Sequence, residues 1–127
     1  MSQSTLEHAN ITVKNAKQSA QILCKIFDWK IRWSGDAIDG GNSYHIGGDA
    51  SYLALYTPLK IGTPAKSSYT TPAGLNHVGI IVEDIEKVEA RVIEAGYKPH
   101  SHADYEPGRR FYFREENGIE IEVVNYQ

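Results

Sequence analysis

Apolar and polar positions follow two different periods along this chain. Near the N-terminus Ala9, Ile11 and Val13 interleave with His8, Asn10 and Thr12, which predicts a strand with one covered face over 6–13. The period then lengthens. Ala16, Ala20, Leu23 and Phe27 share one helical stripe, behind Asn15 as a capping residue and Gln18 in capping-box position. Trp29 to Trp33, Ser43 to Ile46 and Ser51 to Thr57 read as three short strands. Ser34-Gly35-Asp36 and Asp39-Gly40-Gly41-Asn42 supply the loops between them. From Pro58 to Gly74 both periods stop, and Pro58, Gly62, Pro64, Pro72 and Gly74 sit among Ser, Thr and Lys, as in a linker.

After the linker the pattern starts again. Leu6-Glu7-His8-Ala9-Asn10-Ile11-Thr12-Val13 returns as Leu75-Asn76-His77-Val78-Gly79-Ile80-Ile81-Val82, with Leu, His, Ile and Val in the same register. Asp84 caps a second helix whose Ile85, Val88, Val92 and Ala95 form one face, and Gly96 stops it. Strands follow from Tyr97 to His100, Arg110 to Arg114 and Ile119 to Asn125, with Asn117-Gly118 as a hairpin turn. A repeat of this kind fixes architecture more firmly than local propensity does. The expected fold is α+β, two βαβββ modules over 5–57 and 75–127 joined by linker 58–74, within a single domain 1–127.

Composition narrows the function. A chain of 127 residues fits one domain with its own core. A net charge of −3 argues against nucleic acid, which needs a basic face. The single cysteine, Cys24, excludes an internal disulfide and reads as a buried thiol of the first helix. Residues Ser2 to Thr5 are polar, with no apolar signal core, and no apolar run approaches the ~18 residues of a membrane span. A cytoplasmic protein without membrane or nucleic-acid partners is expected.

The repeat also places two histidines at equivalent points. Alternation puts His8 and His77 on the faces opposite the apolar sets. In the last strand Ile119, Ile121 and Val123 form the apolar set, and Glu120, Glu122 and Val124 point the other way. Two imidazoles and one carboxylate on a common face make a triad suited to Fe(II), Mn(II), Ni(II) or Zn(II), with positions left for a substrate. Tyr52, Ala54 and Tyr56 share one strand face, an apolar wall for a small molecule if it lines a cleft. Arg110 or Arg109, after Pro107-Gly108, is a candidate for an anionic substrate group. His45 and His100 read as surface residues.

These segments, together with Gly108-Arg109-Arg110-Phe111-Tyr112-Phe113-Arg114-Glu115-Glu116-Asn117-Gly118-Ile119-Glu120-Ile121-Glu122, resemble the vicinal oxygen chelate superfamily. That group holds glyoxalases, bleomycin-resistance and fosfomycin-resistance proteins and extradiol dioxygenases. The resemblance spans Leu6 to Tyr126. It implies two paired modules curled around a metal cleft, with ligands on the first and last strands of each. His8, His77 and Glu122 match those positions. Ala54 stands where glyoxalase I carries a carboxylate, which speaks against glyoxalase I chemistry. Tyr112 precedes Glu122 by the separation at which extradiol dioxygenases place an active-site tyrosine. His102 resembles their acid–base histidine with one residue inserted. The resemblance implies a divalent-metal enzyme acting on a small molecule chelated through vicinal oxygens, of lyase, isomerase or ring-cleaving type. The alternatives are a metal-free drug- or metabolite-binding protein of bleomycin-resistance type and a fosfomycin-type thiol transferase. Half-barrel modules with uncovered sheet edges predict a homodimer.

Overall fold

A computed structural model describes residues 2–64, 66–106 and 108–126. Ala65 of the linker, Pro107 and Gln127 therefore lie outside the described residues. The chain divides into two units, Met1–Ile61 and Gly62–Gln127, with the boundary inside segment 58–74.

Unit 1 runs β1 (His8–Thr12), α1 (Ala16–Phe27), β2 (Lys30–Asp36), β3 (Asn42–Gly47) and β4 (Tyr52–Thr57). Its sheet has the order β1-β4-β3-β2, with β1 parallel to β4 and the other pairs antiparallel. Asn15 caps α1 by accepting the Gln18 amide at 3.1 Å, as the sequence predicts. The buried stripe is Ala16, Ser19, Ala20, Leu23 and Ile26. Ile26 takes the place expected for Phe27, because the last step along the buried face is three residues. Ser34-Gly35-Asp36 belongs to β2 rather than to a loop, paired with Tyr44, Ser43 and Asn42. The turn comes later, where Asp39 and Gly40 adopt φ of 54° and 75°.

Unit 2 runs β5 (Val78–Ile81), α2 (Ile85–Glu94), β6 (His100–Tyr105), β7 (Gly108–Arg114) and β8 (Glu120–Asn125). Its sheet order is β5-β8-β7-β6, again with one parallel pair, β5 and β8. Asp84 caps α2 by accepting the Lys87 amide at 3.1 Å, and Gly96 ends the helix at φ 95°. Ile85, Val88 and Val92 are buried, whereas Ala95 is exposed because the helix stops at Glu94. The strand expected from Tyr97 begins only at His100. Asn117-Gly118 sits in the five-residue connection 115–119, in which Gly118 takes φ 90°. Glu115 holds that loop by accepting the amides of Asn117 at 2.7 Å and Ile119 at 3.1 Å.

Each unit is thus a mixed four-stranded sheet with one helix against one face. The cores are Leu23, Ile26, Ile46 and Leu55 in unit 1, and Val92, Phe111, Phe113, Ile121 and Val123 in unit 2. Strand alternation sends the other set of side chains to the face that the helix leaves uncovered. Among the described residues, no helix is long and apolar enough to cross a membrane.

Candidate functional site

The uncovered face of unit 2 holds a buried charge cluster. Register aligns Glu122 with Gly79 on β5 and Tyr112 on β7. A Cβ at Gly79 would meet nothing within 4 Å, so β5 leaves the space beside Glu122 open. The Glu122 carboxylate is engaged at both oxygens. Oε1 lies 3.0 Å from His77 Nε2, and Oε2 accepts from Arg110 Nη1 at 2.8 Å. Glu122 and Arg110 side chains are each only 12% exposed, so the two charges neutralise one another out of water. Arg110 also donates to the Gly108 carbonyl at 3.3 Å and lies over the Tyr105 ring, 4.9 Å from its centroid.

Tyr112 completes this group. Its ring meets His77 edge-on at 5.5 Å and stacks on His100 at 6.2 Å. Burial, then the charge and hydrogen bonding of Glu122, push the phenol above its usual range. Tyr112 therefore stays protonated at neutral pH and remains a hydrogen-bond donor. Tyr69, from the segment before β5, donates to Glu120 Oε1, and Arg114 lies 3.6 Å from the other oxygen of that carboxylate. Two buried nitrogens of the cluster, His77 Nδ1 and Arg110 Nε, have no hydrogen-bond partner.

Unit 1 presents rings on its uncovered face. His8 pairs with Tyr52 across β1 and β4, and their rings stack at 4.7 Å with an interplanar angle of 12°. Tyr52 also stacks on His45 at 4.7 Å, His45 meets Trp33 at 4.9 Å, and the Arg32 guanidinium lies 4.7 Å from the Tyr52 ring centroid. His8 Nδ1 lies 2.8 Å from Glu7 Oε1. Burial, followed by the neighbouring His8 and Arg32, lowers the His45 pKa below 6.5, against an opposing pull from Glu7. Tyr56 turns away to donate to the Ile38 carbonyl at 3.1 Å.

Of the residues singled out by sequence, His77, Glu122, Tyr112 and Arg110 come together in unit 2, and His8 and Tyr52 come together in unit 1. Among the described residues, no three His, Cys, Asp or Glu side chains form a metal-binding group. His102 goes elsewhere. A bulge between His100 and Ala103, with Ser101 at φ 57°, turns it toward the helix-covered side. There it stacks on Phe111 and its Nε2 lies 2.6 Å from Glu89 of α2. It lines a cavity of about 360 Å³ with Glu89, Asp104 and Arg109. Arg109 is paired with Glu86 on α2 at 2.5 Å. Sequence reasoning set His45 and His100 aside as surface residues, yet both stand in ring stacks on the uncovered faces. No sequence pattern marks them, because for His45 it is the β3–β4 register, which sets it opposite Ala54, that decides its neighbours.

The donor chemistry can be tested against a divalent transition metal. An imidazole nitrogen and a carboxylate oxygen 3.0 Å apart suit two neighbouring ligands, each with a bond of about 2.0–2.2 Å. His77 and Glu122 would offer such an ion two donors, and among the described residues no third His, Cys, Asp or Glu joins them. Arg110, on the second carboxylate oxygen, is the feature that competes with it.

The family model for the Glyoxalase/Bleomycin resistance protein/Dioxygenase superfamily matches residues 5–123. No curated protein matches the sequence. A glyoxylase/bleomycin resistance protein/dioxygenase domain from Frankia sp. EAN1pec superposes with a TM-score of 0.84 at 24% identity, over 99% of this chain and 100% of that one. The fosfomycin resistance protein FosX from Mesorhizobium loti gives 0.70 at 16%, over 97% and 92%. A glyoxalase I mutant from Zea mays gives 0.72 at 16%, over 95% of this chain and 46% of that one. At these identities the likeness establishes the fold.

Proposed function

The chain belongs to the Glyoxalase/Bleomycin resistance protein/Dioxygenase superfamily, and from that premise we propose that it is a divalent-metal-dependent enzyme acting on a small molecule held through two vicinal oxygens. The observation that carries this reading is the His77–Glu122 pair, a nitrogen and an oxygen donor at 3.0 Å, half-buried on the face that the helix leaves uncovered. His8, at the equivalent point of unit 1, is the third ligand, supplied by the same chain or by a second copy in a homodimer. Bound there, Fe, Mn, Ni or Zn supplies Lewis acidity toward the substrate oxygens. Arg110 holds the Glu122 carboxylate in place through Oε2 and leaves Oε1 for ligation. Tyr112, kept protonated, donates a hydrogen bond to a substrate oxygen beside Glu122. Ala54 offers no fourth ligand and no proton-accepting carboxylate, so glyoxalase I turnover is expected to be absent or very slow.

Arg110 also supports a second reading, a metal-free binder of a drug or metabolite, in which the His77–Glu122–Arg110 cluster is complete without a cation. Elemental analysis of protein purified without chelator or affinity tag separates the two. The enzyme reading expects close to one equivalent of transition metal per site, or its uptake on titration. His8→Ala, His77→Ala and Glu122→Ala should each weaken uptake, whereas Glu89→Ala on the helix side should not. A parent protein that takes up no metal would turn the assignment to the binder. Reconstitution with each metal, followed by assays with methylglyoxal and glutathione, catechols under oxygen, and fosfomycin with thiols, then tests the reaction class.

A further inference from the structure

The two repeated histidines are prepared differently. The residue before His77 is Asn76, whose amide donates to the Ser68 carbonyl at 3.3 Å, away from the imidazole. The residue before His8 is Glu7. Its carbonyl accepts the Tyr52 amide at 3.0 Å, which carries the β1–β4 ladder one residue past the strand and fixes the Glu7 backbone. Its carboxylate Oε1 lies 2.8 Å from His8 Nδ1, with the Tyr52 hydroxyl 3.5 Å from the same oxygen. Tyr52 then stacks on the His8 ring, and His45 and Arg32 pack on Tyr52.

We infer that Glu7 is a positioning residue that, with Tyr52 bracing the ring, sets His8 in the Nδ1–H tautomer and leaves Nε2 as its donor atom for a metal. An ionised carboxylate can only accept, so the nitrogen facing it carries the proton, and a neutral imidazole has only one. Ligating histidines are oriented in this way by a carboxylate on their second nitrogen. The Glu7 side chain is 68% exposed, so the pair adds little to stability, and what it fixes is orientation. The inference rests on His8 as a metal ligand, and its test separates the two claims.

The experiment compares the parent chain, Glu7→Gln and Glu7→Ala. Long-range ¹⁵N–¹H spectra of the metal-free proteins at pH 8.5 report the His8 tautomer, with the signals assigned by their loss in His8→Asn. Titration with Zn(II) reports affinity. The parent and Glu7→Gln should show a protonated Nδ1 and a bare Nε2, because the amide oxygen still accepts. Glu7→Ala should shift His8 toward Nε2–H and lose on the order of tenfold or more in affinity, with Glu7→Gln losing much less. An Nε2–H tautomer in the parent, or an unchanged tautomer in Glu7→Ala, overturns the inference. So does a loss in Glu7→Gln as large as in Glu7→Ala, which would make the effect one of charge. If the parent binds no Zn(II), the metal reading falls and the spectra still decide the tautomer. If Glu7→Ala binds as tightly as the parent, the positioning role falls and the metal reading stands.

Discussion

The two units share one plan and present opposite chemistry. On the helix side they match closely: an Asx cap opens each helix, and aliphatic side chains meet aliphatic and aromatic strand residues. On the uncovered side, unit 1 shows Tyr52 and Ala54 where unit 2 shows Glu120 and Glu122, and His45 where unit 2 shows Tyr112. Only the histidine at the head of the first strand is common to both. The packed face constrains volume and shape, whereas the other face is free to differ, and in unit 2 it has become a buried ionic cluster. The buried carboxylates of this face therefore belong to unit 2, and unit 1 carries a braced imidazole.

The largest expected effect tests the shared side. Phe111→Ala and Leu55→Ala, one in each core and each essentially buried, should destabilise by about 3–5 and 2–5 kcal/mol respectively. Urea unfolding followed by fluorescence measures both. A single shared transition would show that the units fold together, and two transitions would show that each is its own cooperative unit. Next comes the divergent side. Arg110→Ala leaves the buried Glu122 charge without its guanidinium and should cost about 3 kcal/mol. Glu7→Ala, at an exposed pair in unit 1, should stay within about 0.5 kcal/mol. Equal losses would erase the contrast between a buried cluster and an exposed brace. Between these two, Asn15→Ala and Asp84→Ala should each cost about 1 kcal/mol, read as a shift of the thermal midpoint.

The smallest effect is one of pH. His45 has a folded pKa below its unfolded value of about 6.5. The unfolded chain therefore binds the proton more readily, and the His45 contribution is complete above that value. It is lost as pH falls through the folded pKa. His45→Gln should flatten the fall in urea midpoint between pH 7.5 and 5.5 relative to the parent, and an unchanged slope would remove His45 from the account.

Much of this was legible in the chain. The repeat around His8 and His77, both caps and the alternation of β8 predicted the two modules and the side on which Glu122 stands. These signals are local and periodic. What escaped depended on pairing between strands. No local pattern shows that His45 falls opposite Ala54, that Arg110 reaches diagonally from β7 to Glu122 Oε2 on β8, or that Tyr69 from the linker meets Glu120. Ser34-Gly35-Asp36 looked like a turn because its residues favour one, but the ladder with β3 outweighed propensity. Ala95 and Phe27 were misplaced at helix ends, where one residue of length decides whether a side chain faces the core.

The extra residue at Ser101 has an evolutionary side. Strict alternation along β6 would set His102 opposite Arg110 and on the same face as Tyr112. One added position sends it to Glu89 instead. A three-nucleotide insertion or deletion at that point could therefore transfer an imidazole between the two surfaces of a sheet and leave the pairing of β7 with β8 untouched. Variation in length, which alignments treat as noise in a loop, would here be a heritable means of adding a proton-transfer group to a site or withdrawing it.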